Sequence, residues 1–151
     1  MAWEIRCLDG NCTSPGWAAN IVDLIQQRRD EAGWLLCRCG GKGYVKKAFD
    51  LQEKGEQWEP FVRGIVVLGD PGETYQPFVF LVSHGEPTAA PKAVWFSYYK
   101  DLRPEGRLKL GHGPGGAPVL DAIDVVALCR RLIDLGCITR DEVEHQLLPR
   151  Q

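Results

Sequence analysis

Four of the six cysteines fall in two close pairs, and closely spaced thiolates are typical metal ligands. Four residues separate Cys7 from Cys12, one residue separates Cys37 from Cys39, and 24 residues lie between the pairs. Zinc takes four tetrahedral ligands, and two tight turns can each present two sulfurs without long-range strain. We therefore predict a zinc site formed by these four cysteines, with unligated or redox-active thiols and disulfides as the alternatives.

The segment around the second pair resembles the knuckle of a zinc ribbon. It reads Cys37-Arg38-Cys39-Gly40-Gly41-Lys42-Gly43-Tyr44, in which a glycine follows the second cysteine and a strand leaves the turn. The resemblance covers residues 7–44 and points to no particular family. Because four protein thiolates leave no coordination position for water, we expect the zinc to be structural and not catalytic.

A glycine-rich loop ahead of a predicted helix is the second candidate site. Backbone amides at such a place can bind a phosphate, although Pro114 and Pro118 each remove one donor. The alternatives are a plain turn into the helix and an enzyme site near this loop, His84 and His112. The candidate anion-binding residues are Gly111, His112, Gly113, Gly115 and Gly116.

Basic and aromatic residues alternate just after the second cysteine pair. Nucleic-acid-binding proteins use such mixtures, because bases stack on rings while cations hold phosphates. The other interpretation is an ordinary hairpin surface. The candidate contacts for nucleic acid or another partner are Arg38, Lys42, Tyr44, Lys46 and Lys47.

Composition limits the function classes. The 151 residues carry 18 basic and 20 acidic side chains, for a formal net charge of −2, so no general field attracts polyanions. We find no secretory leader and no apolar run of about 18 residues, so we predict a cytoplasmic protein without a membrane partner. In that reducing compartment we interpret Cys129 and Cys137 as small buried apolar residues.

Several elements must position these residues. We predict a strand over residues 3–7, a helix from a cap at Ser14 and Pro15 to about residue 32, and a hairpin over residues 34–51. An antiparallel meander is predicted at residues 62–68, 78–82, 93–99 and 107–110. A long helix over 119–135, with Val125, Leu128, Cys129 and Leu132 on its apolar face, and a capped last helix to about residue 148 complete the prediction.

The predicted fold class is α+β, with a zinc-stabilised module at 1–52 and an antiparallel sheet with carboxy-terminal helices at 53–151, or one continuous domain. The leading functional hypothesis is a small cytoplasmic protein with structural zinc that acts as a binding or adaptor module for a protein partner. The alternatives are a zinc protein that binds nucleic acid and an enzyme acting near residues 111–116.

Overall fold

The chain folds around one antiparallel sheet. The computed structural model describes residues 2–46, 60–70, 72–111 and 118–148. Within these ranges seven strands lie in the order β2-β1-β3-β4-β5-β6-β7, and three helices accompany them, so the α+β prediction is confirmed. The strands are β1 Trp3–Cys7, β2 Gly16–Ala18, β3 Gly43–Lys46, β4 Pro60–Val67, β5 Tyr75–His84, β6 Ala93–Leu102 and β7 Arg107–Gly111, and the helices are α1 Ile21–Gln27, α2 Ala122–Asp134 and α3 Arg140–Leu147.

The two faces of the sheet carry separate hydrophobic clusters. On the α1 face, buried side chains of α1 pack with residues from β1, β3, β4 and β5, among them Ile5, Val45 and Phe80. On the opposite, α2 face, Leu128 and Leu132 pack over Val79 and Leu81. Strands β4 and β5 are therefore buried on both sides, which explains why their sequences are almost continuously apolar.

The helix predicted from residue 15 to residue 32 is wrong in extent. Gly16–Ala18 instead pairs with β1 as an edge strand. Asn20 caps the helix, since its side chain accepts a hydrogen bond from the Asp23 amide at 3.0 Å. The helix ends at Gln27, and the Asp30 carboxylate then accepts the amides of Gly33 and Trp34.

The segment between α1 and β3 ties the first strands to the rest of the sheet. Arg63 forms a bulge in β4, and its carbonyl accepts the Leu35 amide at 3.0 Å. The Gly33 carbonyl accepts the Ile65 amide at 2.8 Å. The predicted hairpin over 34–51 is present as a bridge between Leu36 and Lys42 followed by β3; residues 47–59 lie outside the described residues.

Helix α2 is shorter than predicted, because it begins at Ala122 and not at residue 119. Its predicted apolar face is correct for Leu128 and Leu132, whereas Val125 is 45% exposed and Cys129 is half-buried. The capping box of α3 is confirmed, since the Glu142 amide donates to the Thr139 hydroxyl and the Thr139 amide donates to the Glu142 carboxylate. The proposed division at residue 52 falls outside the described residues and stays a prediction.

Candidate metal centre

The four predicted cysteines converge at one end of the sheet. Their sulfur atoms all lie within 4.8 Å of one another. Among the described residues, these four cysteines are the one group of three or more His, Cys, Asp or Glu side chains close enough together to hold a metal ion. The Sγ atoms of Cys12 and Cys37 are 3.8 Å apart, and those of Cys7 and Cys39 are 4.0 Å apart. The clustering predicted from spacing is thus confirmed.

Strand pairing positions these sulfurs. Cys7 is the last residue of β1 and lies opposite Gly43, the first residue of β3, so the pairing of β1 with β3 places both cysteine turns side by side. An added Cβ at Gly43 would lie 2.7 Å from Ile5 Cγ2, so only glycine permits this close approach. The Leu8 amide donates to the Lys42 carbonyl at 2.9 Å and joins the two turns directly.

Each cysteine turn contains a glycine in the left-handed region, Gly10 at φ 69° and Gly40 at φ 83°. Side chains other than glycine rarely adopt this conformation. The Gly40 amide donates to the Cys37 carbonyl at 3.0 Å and closes the knuckle. Both turns therefore hold their cysteines by local backbone geometry.

Two of the sulfur-sulfur distances fit a tetrahedral metal ion, and the full set ranges from 2.7 Å up to 4.8 Å. With metal-sulfur bonds of about 2.3 Å, tetrahedral sulfurs lie about 3.8 Å apart. The pairs Cys12 with Cys37 and Cys7 with Cys39 match this distance. Cys37 and Cys39 are 2.7 Å apart and would have to separate by about 1 Å.

The thiols differ strongly in acidity. Burial raises the pKa of Cys7, but backbone hydrogen bonds from Cys12, Asp9 and Asn11 and a side-chain bond with Cys37 outweigh it and lower the pKa to about 6. Burial, followed by the hydrogen bond with Cys39, raises the pKa of Cys37 to about 12.

Hydrogen bonds with the neighbouring thiols set the other two values. The side-chain bond with Cys39 raises the pKa of Cys12, and the side-chain bond with Cys37 lowers the pKa of Cys39. The pKa values of Cys12 and Cys37 are thus raised, and a metal that binds all four sulfurs must displace protons from these two.

The other sequence candidates do not join this site. Cys137 is buried in the α2-face cluster and Cys129 is half-buried. Gly111 ends β7, where an added Cβ would lie 2.1 Å from the Tyr98 ring, so packing explains this glycine. Residues 112–117, which contain the rest of the predicted anion loop, lie outside the described residues, as does Lys47. His84 is exposed at the end of β5.

Three of the predicted basic and aromatic contacts, Lys42, Tyr44 and Lys46, lie on the α2 face at the end of the sheet that carries the cysteines. Arg38 is exposed, its backbone nitrogen lies 3.4 Å from the Cβ position of Gly16, and its role as a contact stays a prediction. Sequence reasoning missed Arg6 and Trp17, which the strand register brings to the same face. Arg6 alternates along β1 with buried Trp3 and Ile5, and Trp17 precedes buried Ala18 in β2. This alternation is the sequence signal that could have placed both residues on the exposed face.

No protein-family model matches the chain, and neither a curated protein nor a solved structure matches it. No helix in the described ranges is long and apolar enough to cross a membrane. What this protein can do must therefore be argued from its own residues.

Proposed function

We propose that this chain is a small binding module stabilised by a structural zinc ion. The observation that carries the proposal is the convergence of four cysteine sulfurs within 4.8 Å. Tetrahedral sets of four sulfurs are typical of zinc and of iron-sulfur centres. The glycine-containing knuckle at Cys37 and Cys39, which resembles that of a zinc ribbon, favours zinc.

The proposed role of the metal is to hold the first three strands together. Strands β1, β2 and β3 contain five, three and four residues, and strands this short bury little surface by themselves. A metal bound by Cys7 and Cys12 from one turn and by Cys37 and Cys39 from the other cross-links both sides of this end. Its four thiolates fill the coordination shell, so we place no chemistry at the metal.

The proposed location is the cytoplasm. A reducing compartment keeps the thiols available for a metal ion, whereas an oxidising one converts closely spaced cysteines to disulfides.

Metal analysis of purified protein tests the proposal. After expression with zinc supplied, we expect elemental mass spectrometry to find one zinc per chain and no iron. Cys37→Ser is expected to fall far below one zinc, because the metal loses a ligand from the middle of the cluster. Cys129→Ser, a half-buried cysteine outside the cluster, is the matched control and should retain one zinc. Well under one zinc in the wild type, or iron in its place, contradicts the proposal.

A further inference from the structure

The α2 face carries a row of alternating cations and rings along β3. Lys42, Tyr44 and Lys46 point to this face, because they alternate with Gly43 and Val45, which are buried. Successive side chains on one face of a strand are about 7 Å apart. The row therefore presents two ammonium groups with an aromatic ring between them.

Neighbouring strands widen this row. Arg6 is the cross-strand partner of Tyr44, and Trp17 is the partner of Glu4, so both lie on the same face. Trp17 is 54% exposed, and the Arg6 side chain is 60% exposed. Glu4 is the acidic residue of the row, and its carboxylate is engaged by Arg6 at 2.7 Å.

The lysines of the row are held by aromatic rings and not by carboxylates. The Lys42 ammonium lies 4.8 Å from the centroid of the Trp34 ring, and the Lys46 ammonium lies 5.8 Å from that of Phe61. Neither lysine takes part in the ion pairs found in the described part of the chain. Among the described residues no carboxylate neutralises these two charges, although the whole chain has a formal net charge of −2.

A cavity adjoins the row at the metal centre. It has a volume of about 420 Å³, and its lining includes Arg6, Tyr44 and the turn residues Cys12, Thr13 and Ser14. The Tyr44 ring and the hydroxyl groups suit a planar base, whereas Glu4 and Cys7, which also line the cavity, place negative charge there and leave the phosphates to the exposed row. The cavity and the exposed row share Arg6 and Tyr44, so one ligand can contact both.

We propose that the basic aromatic face, formed by Arg6, Trp17, Lys42, Tyr44 and Lys46, binds single-stranded nucleic acid. Lys42 and Lys46, about 14 Å apart along the strand, contact non-adjacent phosphates, while Trp17 and Tyr44 stack on unpaired bases. This proposal rests on the proposed function, because the metal holds the turn after β1 against the turn before β3. The rings favour an unpaired strand over an acidic protein, since a carboxylate-rich segment would use the cations and leave the rings without a role.

Binding of a labelled single-stranded oligonucleotide at several salt concentrations tests this inference. The two lysine contacts predict a slope of about −1.4 in a plot of log affinity against log salt. Separate RNA and DNA probes of one sequence show which sugar is preferred, and binding of either supports the inference. No binding of either probe, or binding that does not weaken with salt, overturns it.

Paired variants locate the site. The Lys42→Ala/Lys46→Ala double variant should bind at least about ten-fold more weakly and lower the magnitude of the salt slope by about 1. The control is Lys100→Ala/Lys109→Ala, two exposed lysines paired across β6 and β7 at the far end of the sheet, one of which also lies over a tyrosine ring. Equal losses in both double variants would contradict the assignment.

A substitution of the exposed ring separates stacking from charge. Trp17→Ala should weaken binding about ten-fold with an unchanged salt slope. Phe96→Ala removes a partly exposed ring on β6 and should leave binding unchanged. If Trp17→Ala has no effect, no base stacks on this ring, and if polyglutamate competes as well as the unlabelled oligonucleotide, the face serves an acidic protein. Either result contradicts the inference.

The metal content of each sample separates this inference from the proposed function. Protein that holds one zinc per chain and does not bind either probe contradicts the nucleic-acid inference alone. Protein that lacks zinc contradicts the proposed function, whatever its affinity for the probes. Circular dichroism of every variant confirms that an altered affinity is not a loss of fold.

Discussion

The two ends of the sheet are stabilised in different ways. At one end, β1, β2 and β3 contain three to five residues each, and four cysteines join their turns. At the other end, β4, β5 and β6 contain eight to ten residues, and β4 and β5 are buried on both faces. The short strands share the α1-face cluster with β4 and β5, and we expect the metal to add a cross-link that the long strands do not need.

Metal removal should give the largest difference between the two ends. Structural zinc contributes on the order of 10 kcal/mol in isolated zinc-finger peptides, so its loss should unfold the part that depends on it. After chelation we expect amide hydrogen exchange to become fast in β1, β3 and residues 34–43, while β5 and β6 stay protected. Equal loss of protection in all strands would show that the two ends are one cooperative unit, and no loss would exclude a structural metal.

A core substitution in β5 should have the second-largest effect on stability. Phe80 is fully buried, and its ring centroid lies 5.0 Å from that of Phe78 and 5.8 Å from that of Trp3. Phe80→Ala should lower the free energy of unfolding by about 3–5 kcal/mol in urea titrations. Phe96→Ala, at a ring that is 38% exposed, should cost about 1 kcal/mol or less. Similar costs would contradict the burial described for β5.

The contact between the two ends can be tested at Gly64. An added Cβ would lie 2.7 Å from the Gly33 carbonyl oxygen and 3.0 Å from Leu81 Cδ1, so it would push residues 33–35 away from β4. Gly64→Ala should cost about 1–3 kcal/mol. It should also speed hydrogen exchange at the Leu35 and Ile65 amides, which donate across this contact. An unchanged unfolding midpoint would mean that the two ends are not held there.

The smallest predicted effect lies outside both ends, in α3. Hydrogen bonds from Thr139 lower the pKa of Glu142 below its ordinary value. The cap therefore contributes fully above the ordinary glutamate pKa of about 4.3 and is lost as the pH falls through the lower, folded value. The Thr139 amide resonance should titrate with a midpoint below 4.3, and Glu142→Gln should abolish that titration. A midpoint at or above 4.3 would contradict the capping box.

Local sequence signals predicted the features that depend on a few neighbouring residues. The cysteine cluster follows from two short turns that each contain a glycine, and the α3 cap follows from a threonine and a glutamate three residues apart. The meander followed from apolar runs separated by turn residues. In each case the interaction energy and the sequence signal lie in the same short segment.

Features that depend on pairing between distant segments could not be predicted in this way. Apolar residues recur at helical spacing over residues 15–32. In the structure, however, Gly16–Ala18 pairs with β1 as a strand, and the helix ends before the turn that Asp30 forms. Arg6 and Trp17 belong to the basic aromatic face only because of the strand register. Val125 is exposed because α2 contacts the sheet mainly through Leu128 and Leu132.

A cobalt titration of metal-free protein tests the central claim most directly. If Cys7, Cys12, Cys37 and Cys39 together bind one tetrahedral ion, thiolate-to-cobalt charge-transfer and visible absorption should saturate at one equivalent and disappear when zinc is added. Cys39→Ser should weaken these bands, and Cys137→Ser should leave them unchanged. A weak spectrum typical of six-coordinate cobalt, or a titration with no endpoint at one equivalent, would contradict a four-thiolate metal centre.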